Sequence, residues 1–456
     1  MDSDFLDNIE EWLKQGKTKE IKKVLEKIPS HHLARILERL DRDDLLSLFR
    51  LIDTDKAADV ILELDDATLD IVLKELENER ISELVEELES DDAADIVAEI
   101  SPHDRAVVIS RLPADDRRDL GELLHFPPDT AGGRMTVEFI KVKDSDTVEG
   151  VIKKLRRKGS DPHYSSLLFV TDVKGAFEGA LKIDKLLFNP SKTKIKELVE
   201  PYPVKAFLLE DQESVARKAE KAEVPIIPVV DEQDKLRGII TIEDIIDVIR
   251  EEATEDIYRS GGVGEETSLF ESPLRSAGRR FPWLLVNLVT AFIAASMIGL
   301  FQSTIKSLIA ITILLPIVAG LGGNAGSQTV VMVIRSLALG EITPSDAWRL
   351  LKRQILTCLF LGLGAGVIVG AGALIFKLPP VLAPLVSLAL IINVVMGGII
   401  GTLVPMALKK LGLDPSLASG IFLTAATDTL GFLVLLALAT FALPHIPVDS
   451  FWMQGF

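Results

Sequence analysis

The chain has 456 residues, of which 26% are charged, and its formal net charge is −18 at pH 7. Only five of the 68 acids and eight of the 50 bases lie from position 281 onward, so residues 1–280 carry −21 and the rest +3. A polyanionic first part argues against nucleic acid as a partner and favours cations. The single cysteine, Cys358, excludes an internal disulfide and a cysteine-based metal site.

Residues 1–134 are predicted to form an α-helical superhelix. Apolar residues recur there at helical spacing in short segments, separated by breaks such as DRDD, DTD and SPHD. The segments DTDKAADVILEL and ESDDAADIVAEI resemble each other, as units of a helical repeat do. Because the start, MDSDFLDNIEEWL, lacks a basic region followed by an apolar one, we expect no cleavable signal peptide.

Two copies of an α/β unit are predicted next, at 135–200 and 201–250. Extended runs such as FIKVK, SLLFVTD and AFLLE alternate with helical segments such as TVEGVIKKLRRK and ESVARKAEKA. The order strand, helix, strand, turn, strand, helix occurs twice, which is typical of a tandem repeat. A connecting helix and linker at 251–280 should lead to the last part.

Residues 281–456 are predicted to form a membrane domain, because five apolar runs are long enough to cross a bilayer as helices. These runs lie near 281–301, 307–339, 354–376, 383–408 and 417–443. Nine basic residues flank them on one side: Arg275, Arg279, Arg280, Arg335, Arg349, Lys352, Arg353, Lys409 and Lys410. Only Lys306 and Lys377 flank the other side. This asymmetry predicts a multi-pass protein of the cell membrane with a cytoplasmic N-terminal part and an extracytoplasmic C-terminus.

The second apolar run contains GLGGNAGSQ, where we expect the glycines to interrupt the helix. Asn324, Ser327 and Gln328 would then place polar atoms at membrane depth, beside backbone carbonyls freed by the interruption. Irregular polar backbone is tolerated there only where protein or water surrounds it.

Asp428 lies in the apolar stretch FLTAATDTLGFLVLL. An ionised carboxylate at the bilayer centre costs at least about 2.5–3.5 kcal/mol on insertion scales. No Lys or Arg lies within the five runs at its expected depth. Two interpretations stay open: a protonated Asp428 hydrogen-bonded to Thr424, Thr427 or a neighbouring helix, and a carboxylate that faces a water-filled path for a cation.

The number of available ligands favours Mg²⁺ as that cation. A dehydrated Ca²⁺ needs six to eight oxygen ligands, whereas Mg²⁺ can be held through its waters by one or two carboxylates. Two copies of Asp428 across a dimer axis would suit hydrated Mg²⁺, and Asn324 could accept hydrogen bonds from its waters. A proton or Na⁺ path could also use one aspartate.

The acidic run TIEDIIDVIREEATEDIYRSGG precedes the membrane domain. Its acids fall at helical neighbour spacing, where like charges destabilise a helix unless cations neutralise them. It is either an ordinary solvated acidic face or a segment whose shape depends on bound cations. The six histidines lack metal-ligand spacing, and the chain has no P-loop, GxSxG or HExxH motif, so we expect no enzyme.

The whole chain, over about residues 5–443, resembles the MgtE family of magnesium channels or transporters. The motifs that carry this resemblance are DTAGGRMT, PVVDEQDKLRGIITIEDIIDVI, EEATEDIYRSGG, PIVAGLGGNAGSQ and ATDTLGF. The resemblance implies a homodimer in the lipid bilayer. Each subunit would have an all-α superhelical N domain, tandem α/β CBS domains, a connecting plug helix and a five-helix transmembrane domain around a central pore.

The resemblance also implies roles for individual residues. Asp428 would hold hydrated Mg²⁺ in the pore. Independently of the resemblance, we predict that Gly323, Asn324, Thr424 and Thr427 lie along the path. The acids that would bind regulatory Mg²⁺ are Asp59, Asp91 and Asp95 of the N domain, Asp211, Glu213, Glu223, Asp244 and Asp247 of the second CBS domain, Glu252, Glu255 and Asp256 of the plug helix, and Asp414 before the last span.

Some positions depart from the family pattern. Ser327 stands where asparagine is frequent, and Gln354 stands where an acid usually begins the third span. In CBS domains a Ser or Thr followed three residues later by Asp commonly binds a nucleotide ribose. The second repeat has Thr241 and Asp244, so ATP or another adenine nucleotide is a candidate ligand. The first repeat instead has Lys182 and Lys185.

The sequence therefore favours a Mg²⁺-selective channel that imports Mg²⁺ and is closed by cytoplasmic Mg²⁺ bound between the acidic surfaces of the N domain, CBS domains and plug helix. A proton- or sodium-coupled carrier of divalent cations is one alternative. The other is a regulatory CBS protein that its apolar helices only anchor to the membrane.

Overall fold

The computed structural model describes residues 17–158, 167–261, 273–416 and 419–445, together with Trp12 and Gln15. The chain divides into two compact units, at 1–253 and 254–456. They are termed here the first unit and the second unit.

Short amphipathic helices build the beginning of the first unit. The helices α1 to α9 span Thr18–Leu25, Ser30–Leu37, Arg42–Phe49, Thr54–Leu62, Asp66–Glu75, Asn78–Glu87, Ser90–Glu99, Pro102–Arg111 and Ala114–Leu123. A helix packs mainly on the helix two positions further along, as α4 does on α6 and α6 on α8. Side chains cap several starts; Asp65 accepts a hydrogen bond from the Thr68 amide at 2.8 Å. The predicted α-helical superhelix is confirmed.

Two three-stranded sheets follow, each with the same topology. Strands β1 to β6 span Lys141–Lys143, Leu167–Thr171, Phe177–Lys182, Ala206–Phe207, Ile227–Val230 and Leu236–Ile240, and helices α10 to α12 span Val148–Lys158, Asp184–Phe188 and Gln212–Ala222. In each sheet the first strand pairs parallel with the second, which pairs antiparallel with the third. The register shifts at equivalent places, after Val170 and after Val229. This shared irregularity supports an internal repeat of the α/β unit.

Helix α13, Ile242–Ser260, begins directly after β6. It runs through position 250, where the sequence analysis ends the second α/β unit, so the structure has no break between that unit and the connecting helix. The division of the chain into two compact units falls between residues 253 and 254, within α13. Most of the predicted linker, at 262–272, lies outside the described residues.

Within its described residues, the second unit contains five helices that are long and apolar enough to cross a membrane. Helices α14 to α19 span Pro273–Leu300, Gln302–Ser307, Leu315–Ala338, Ala347–Ile375, Leu382–Lys410 and Ser419–Ala442, of which α15 is short. Helix α18 contacts α16, α17 and α19, while α14 packs on α19. The five predicted spans are confirmed, and most of their predicted ends lie within a few residues of the helix ends in the structure.

The expected interruption of the second span is wrong, because α16 is continuous through GLGGNAGSQ. The glycines serve close helix packing instead. A Cβ atom built on Gly326 would clash with Leu423 of α19, and one on Gly397 of α18 would lie 2.6 Å from the Gly322 carbonyl oxygen. Small residues allow membrane helices to approach closely. The helix therefore keeps its own backbone hydrogen bonds, and the expected free carbonyls are not formed.

Candidate cation sites

Asp428 lies on α19 and is half-buried within the apolar second unit. Within the described residues its carboxylate has neither a hydrogen-bond donor nor a basic partner. The hydroxyl of Thr424 donates to the Gly420 carbonyl, and that of Thr427 to the Leu423 carbonyl, both at 2.9 Å. Both hydroxyl protons go to the backbone of α19 itself, and among the described residues neither threonine is hydrogen-bonded to the Asp428 carboxyl group. This geometry favours a carboxylate that is left for a cation.

Helix α16 packs against α19 near Asp428. A Cβ atom built on Gly323 would lie 3.5 Å from the Thr427 hydroxyl oxygen. Gly323 is followed on α16 by Asn324, which is exposed, and Thr427 is followed on α19 by Asp428. The predicted path residues on the two helices therefore lie at one level, although 104 positions separate Asn324 from Asp428 in the sequence.

In the first unit, acids at the start of α7 face acids at the start of α13. Asp91 is only 7% exposed, and its Oδ1 has no hydrogen-bond partner in the part of the chain that the structure describes. Burial, and then the negative charge of Asp244, hold the pKa of Asp91 well above its usual value. The same two causes raise the pKa of Asp92 to about 7. The acids Asp91, Asp92, Asp95, Asp244 and Asp247 are termed the α7–α13 cluster.

Asp95 is a member of the cluster that lies near a basic side chain. Its Oδ2 is 3.7 Å from the Arg134 guanidinium, which also pairs with Glu251 of α13. Burial raises the pKa of Asp95 to about 6, although Arg134 opposes the shift. Arg134 also donates to Gln212 Oε1 at 2.9 Å, and Gln212 Nε2 donates to Glu252 at 2.7 Å. One arginine thus links Asp95 to acids of α13.

Asp244 accepts two hydrogen bonds from Thr241, one from the amide at 3.0 Å and one from the hydroxyl at 2.6 Å. Burial raises the pKa of Asp244 despite these bonds, which lower it. The two residues predicted to bind a nucleotide therefore bond to each other at the start of α13. In the first repeat, Lys185 pairs with Glu200.

Other predicted sensing acids have local partners in the described arrangement. Asp211 caps α12 by accepting from the Ser214 amide at 3.1 Å, and Glu213 pairs with Arg217. Glu223 takes a left-handed conformation, with φ of 52°, where α12 ends. Asp59 is exposed and accepts from the Ser30 hydroxyl at 3.3 Å. These contacts show no convergence of the four acids with the α7–α13 cluster.

In the second unit, the end of α13 contacts the loop before α19. Arg259 pairs with both Glu255 and Asp414. Asp414 also accepts from the amide and the hydroxyl of Ser416, each at 2.8 Å. Burial alone would raise the pKa of Asp414, but these hydrogen bonds hold it below its usual value. Two predicted ligands, Glu255 and Asp414, thus share a guanidinium, while Asp256 is half-buried on the same helix.

Among the described residues, no group of three or more His, Cys, Asp or Glu side chains converges closely enough to hold a metal ion. This arrangement does not suit a bare ion enclosed by one chain. It is compatible with Mg²⁺ that keeps most of its waters and touches one or two carboxylates.

Comparison with known proteins identifies the family. The model of the divalent cation transporter MgtE matches residues 315–438, that of the MgtE intracellular N domain matches 28–129, and a CBS model matches 195–251. The magnesium transporter MgtE of Thermus thermophilus is 31% identical over 332 residues, which cover 72% of this chain and 74% of the relative. The chain belongs to the MgtE family.

Two further MgtE proteins support this membership. The magnesium transporter MgtE of Bacillus subtilis is 31% identical over 327 residues, 72% of each chain. The crystal structure of the cytosolic domain of the Mg²⁺ channel MgtE in complex with ATP is 31% identical and has a TM-score of 0.50. It covers 53% of this chain and 99% of its own.

Membership of the MgtE family confirms the predicted architecture: a helical N domain, CBS domains and a membrane domain of five helices. The N and CBS domains are cytoplasmic, and MgtE proteins are transporters rather than a class of enzymes. The sequence analysis did not single out Asp92 or Arg134. Arg134 lies in the motif DTAGGRMT, and Asp92 directly follows Asp91, so both were visible in the sequence but their proximity to α13 was not.

Proposed function

We propose that this chain is a Mg²⁺ channel that imports Mg²⁺ past Asp428 and is closed by cytoplasmic Mg²⁺. The observation that carries the proposal is the half-buried Asp428 carboxylate, which no described side chain neutralises within an apolar helix bundle. The relatives of this chain are named magnesium transporters, and one is named a Mg²⁺ channel. A lone charge at this depth is costly unless a cation offsets it.

A homodimer completes the proposed path. One chain offers a single carboxylate at this level, and hydrated Mg²⁺ suits one or two. Two copies of Asp428 across a twofold axis would face the ion, while Asn324 of each chain would accept hydrogen bonds from its waters. With the N domain in the cytoplasm and five spans, the C-terminus lies outside the cell.

Closure is proposed to use the α7–α13 cluster. Asp91 is buried beside the half-buried Asp92 and Asp244, and among the described residues one of its carboxylate oxygens has no hydrogen-bond partner. Mg²⁺ bound between α7 and α13 would offset both the repulsion and the loss of hydration, so it would favour the packed arrangement. Because a ligand shifts an equilibrium only by its differential affinity for the two states, several weak sites together give a steep response.

The other predicted sensing acids, which are Asp59 and those from Asp211 to Asp414, are proposed to join this response by exchanging their local partners for Mg²⁺. Arg217 and Arg259 would have to release Glu213, Glu255 and Asp414 for this exchange. Nucleotide binding at Thr241 and Asp244 stays a prediction, which the ATP complex of the relative supports.

The decisive experiment measures Mg²⁺ uptake by vesicles that contain the purified full-length protein. A channel should pass Mg²⁺ down its own gradient with no proton or sodium gradient present. Uptake that requires such a gradient, with a fixed ion ratio, would support the coupled carrier instead. Vesicles that take up no Mg²⁺ under any gradient would leave only the membrane-anchored regulatory protein.

A further inference from the structure

Asn393 is a polar residue in the middle of α18, and it is fully buried. Its Nδ2 donates a hydrogen bond to the Val318 carbonyl oxygen of α16 at 2.9 Å. Its Oδ1 is buried and, among the described residues, has no hydrogen-bond partner. A carbonyl within a helix already accepts from the amide four residues on, so the Asn393 bond satisfies no orphan group. Stability therefore gives a poor account of an amide in this position.

The Asn393 amide is wedged between glycines of two other helices. A Cβ atom built on Gly322 of α16 would clash with Nδ2, and one built on Gly431 of α19 would lie 2.7 Å from it. The amide thus occupies the space that side chains at both positions would need. A planar amide is thin enough for this gap, and its hydrogen bond to α16 fixes its orientation.

The wedge lies at the level of the proposed ion path. Gly322 is two residues before Asn324 on α16, and Gly431 is three residues after Asp428 on α19. Both distances are less than one helical turn. The thickness of the wedge therefore fixes how far apart α16 and α19 stand where they carry the path residues.

We infer that Asn393 is a positioning residue of the ion path, which sets the spacing of Asn324 and Asp428 without touching the ion. This inference rests on the proposed function, in which Mg²⁺ passes Asp428. Membrane interfaces are packed closely, so a change of one methyl group in the gap alters the helix spacing. The spacing in turn decides how well the path fits a hydrated ion, and hence which divalent ion passes.

The test is a double-mutant cycle in full-length protein reconstituted into vesicles. Asn393→Ala removes most of the wedge, and Gly322→Ala inserts a methyl group into it. Each single change should lower Mg²⁺ flux and change the ratio of Mg²⁺ to Ca²⁺ flux. In the double variant the new methyl group enters the vacated space, so Mg²⁺ flux should recover. Its flux should be about tenfold higher than the product of the two single losses predicts.

Gly431→Ala supplies a second partner if Gly322→Ala fails to fold, because its methyl group would meet the same amide. Ser387→Ala is the matched control. Ser387 is also on α18 and donates to the Gly366 carbonyl of α17 at 2.6 Å, but its contacts lie on the α17 side. It should leave both the flux and the ion ratio unchanged.

Losses that simply multiply in the double variants would overturn the inference, as would a Ser387→Ala variant with the same change of ion ratio. A failure of the proposed function is recognised separately, because Asp428→Ala would then keep wild-type flux. If Asp428→Ala is inactive but the Asn393 and glycine variants are uncoupled, only the role of Asn393 is refuted.

Discussion

The α7–α13 cluster and Asp428 are two acidic sites in opposite settings. In the cluster, the buried Asp91 lies beside half-buried carboxylates such as Asp92, and Arg134 lies beside Asp95 at one side. Asp428 is a single carboxylate among apolar helices, and its threonine neighbours donate to their own helix. The cluster is costly because of mutual repulsion and burial, whereas Asp428 is costly because of burial alone. A cation relieves both, but only the cluster can couple its occupancy to the packing of two helices.

The comparison predicts the largest effect at Asp428. Asp428→Ala should lower Mg²⁺ flux by about 100-fold or more, since a charge pair about 4 Å apart is worth about 4 kcal/mol at an effective dielectric constant of about 20. Asp428→Asn should be intermediate at best, because an amide accepts hydrogen bonds from the ion's waters but carries no charge. Flux into vesicles measures both. Asp346→Asn, directly before α17, is the control, and wild-type flux in a folded Asp428→Ala variant would end the assignment.

Removal of residues 1–130 should have the next largest effect, on closure rather than on conduction. The shortened chain loses α7 and with it three of the five acids of the cluster. It should conduct Mg²⁺ at the wild-type rate but close less completely as Mg²⁺ rises on the cytoplasmic side. Single-channel open probability measures this difference. If the truncated channel closes as fully as the intact one, the N domain takes no part in closure by Mg²⁺.

Substitution within the cluster should give a smaller shift. Asp91→Asn and Asp92→Asn together remove two ligands from α7 and should raise the Mg²⁺ concentration that protects the 240–261 segment from proteases. Glu149→Gln is a matched control, because Glu149 is a carboxylate on α10 that pairs with Lys153. Protection of this segment that is identical with and without Mg²⁺ in the wild-type protein would refute the cluster as a sensor.

The pH dependence should be the smallest effect and has a defined sign. Asp92 and Asp95 have pKa values raised to about 7 and about 6, so the folded state binds protons more tightly than the unfolded state. Their protonated forms favour folding at low pH, and this contribution is lost as the pH rises through about 6 and 7. Without divalent cations, the melting temperature of the full-length protein should therefore fall as the pH is raised from about 5.5 to about 8.

Added Mg²⁺ should flatten this dependence, because the ion takes the place of the protons between the carboxylates. Asp92→Asn should flatten it as well, without Mg²⁺. A melting temperature that rises with pH in the absence of divalent cations would contradict the assignment of buried, repelling carboxylates.

Much of the architecture could be predicted from local patterns. The helical spacing of segments such as AADVILEL, the repeated strand order and the five apolar runs each depend on neighbours in sequence. Asp428 could be singled out because a charge in an apolar run is conspicuous on its own. The continuity of α16 could not be predicted from local patterns. The glycines that would loosen an isolated helix are the ones that let α18 and α19 approach α16.

The composition of the cation sites depended on contacts between distant segments. Asp91 and Asp244 are 153 positions apart, and only the fold places α7 against α13. Arg134 was missed because its partners, Asp95 and Glu251, come from different helices. Asn393 is one polar residue in the run IINVVMGG, and its two glycine neighbours belong to other helices.

Single-channel recording of the full-length protein, with Mg²⁺ varied only on the side of the acidic domains, tests the central claim most directly. The account predicts Mg²⁺ currents whose open probability falls steeply as this Mg²⁺ rises, while the current through an open channel stays the same at a fixed driving force. Mg²⁺ currents with an open probability that does not respond to cytoplasmic Mg²⁺ would contradict it.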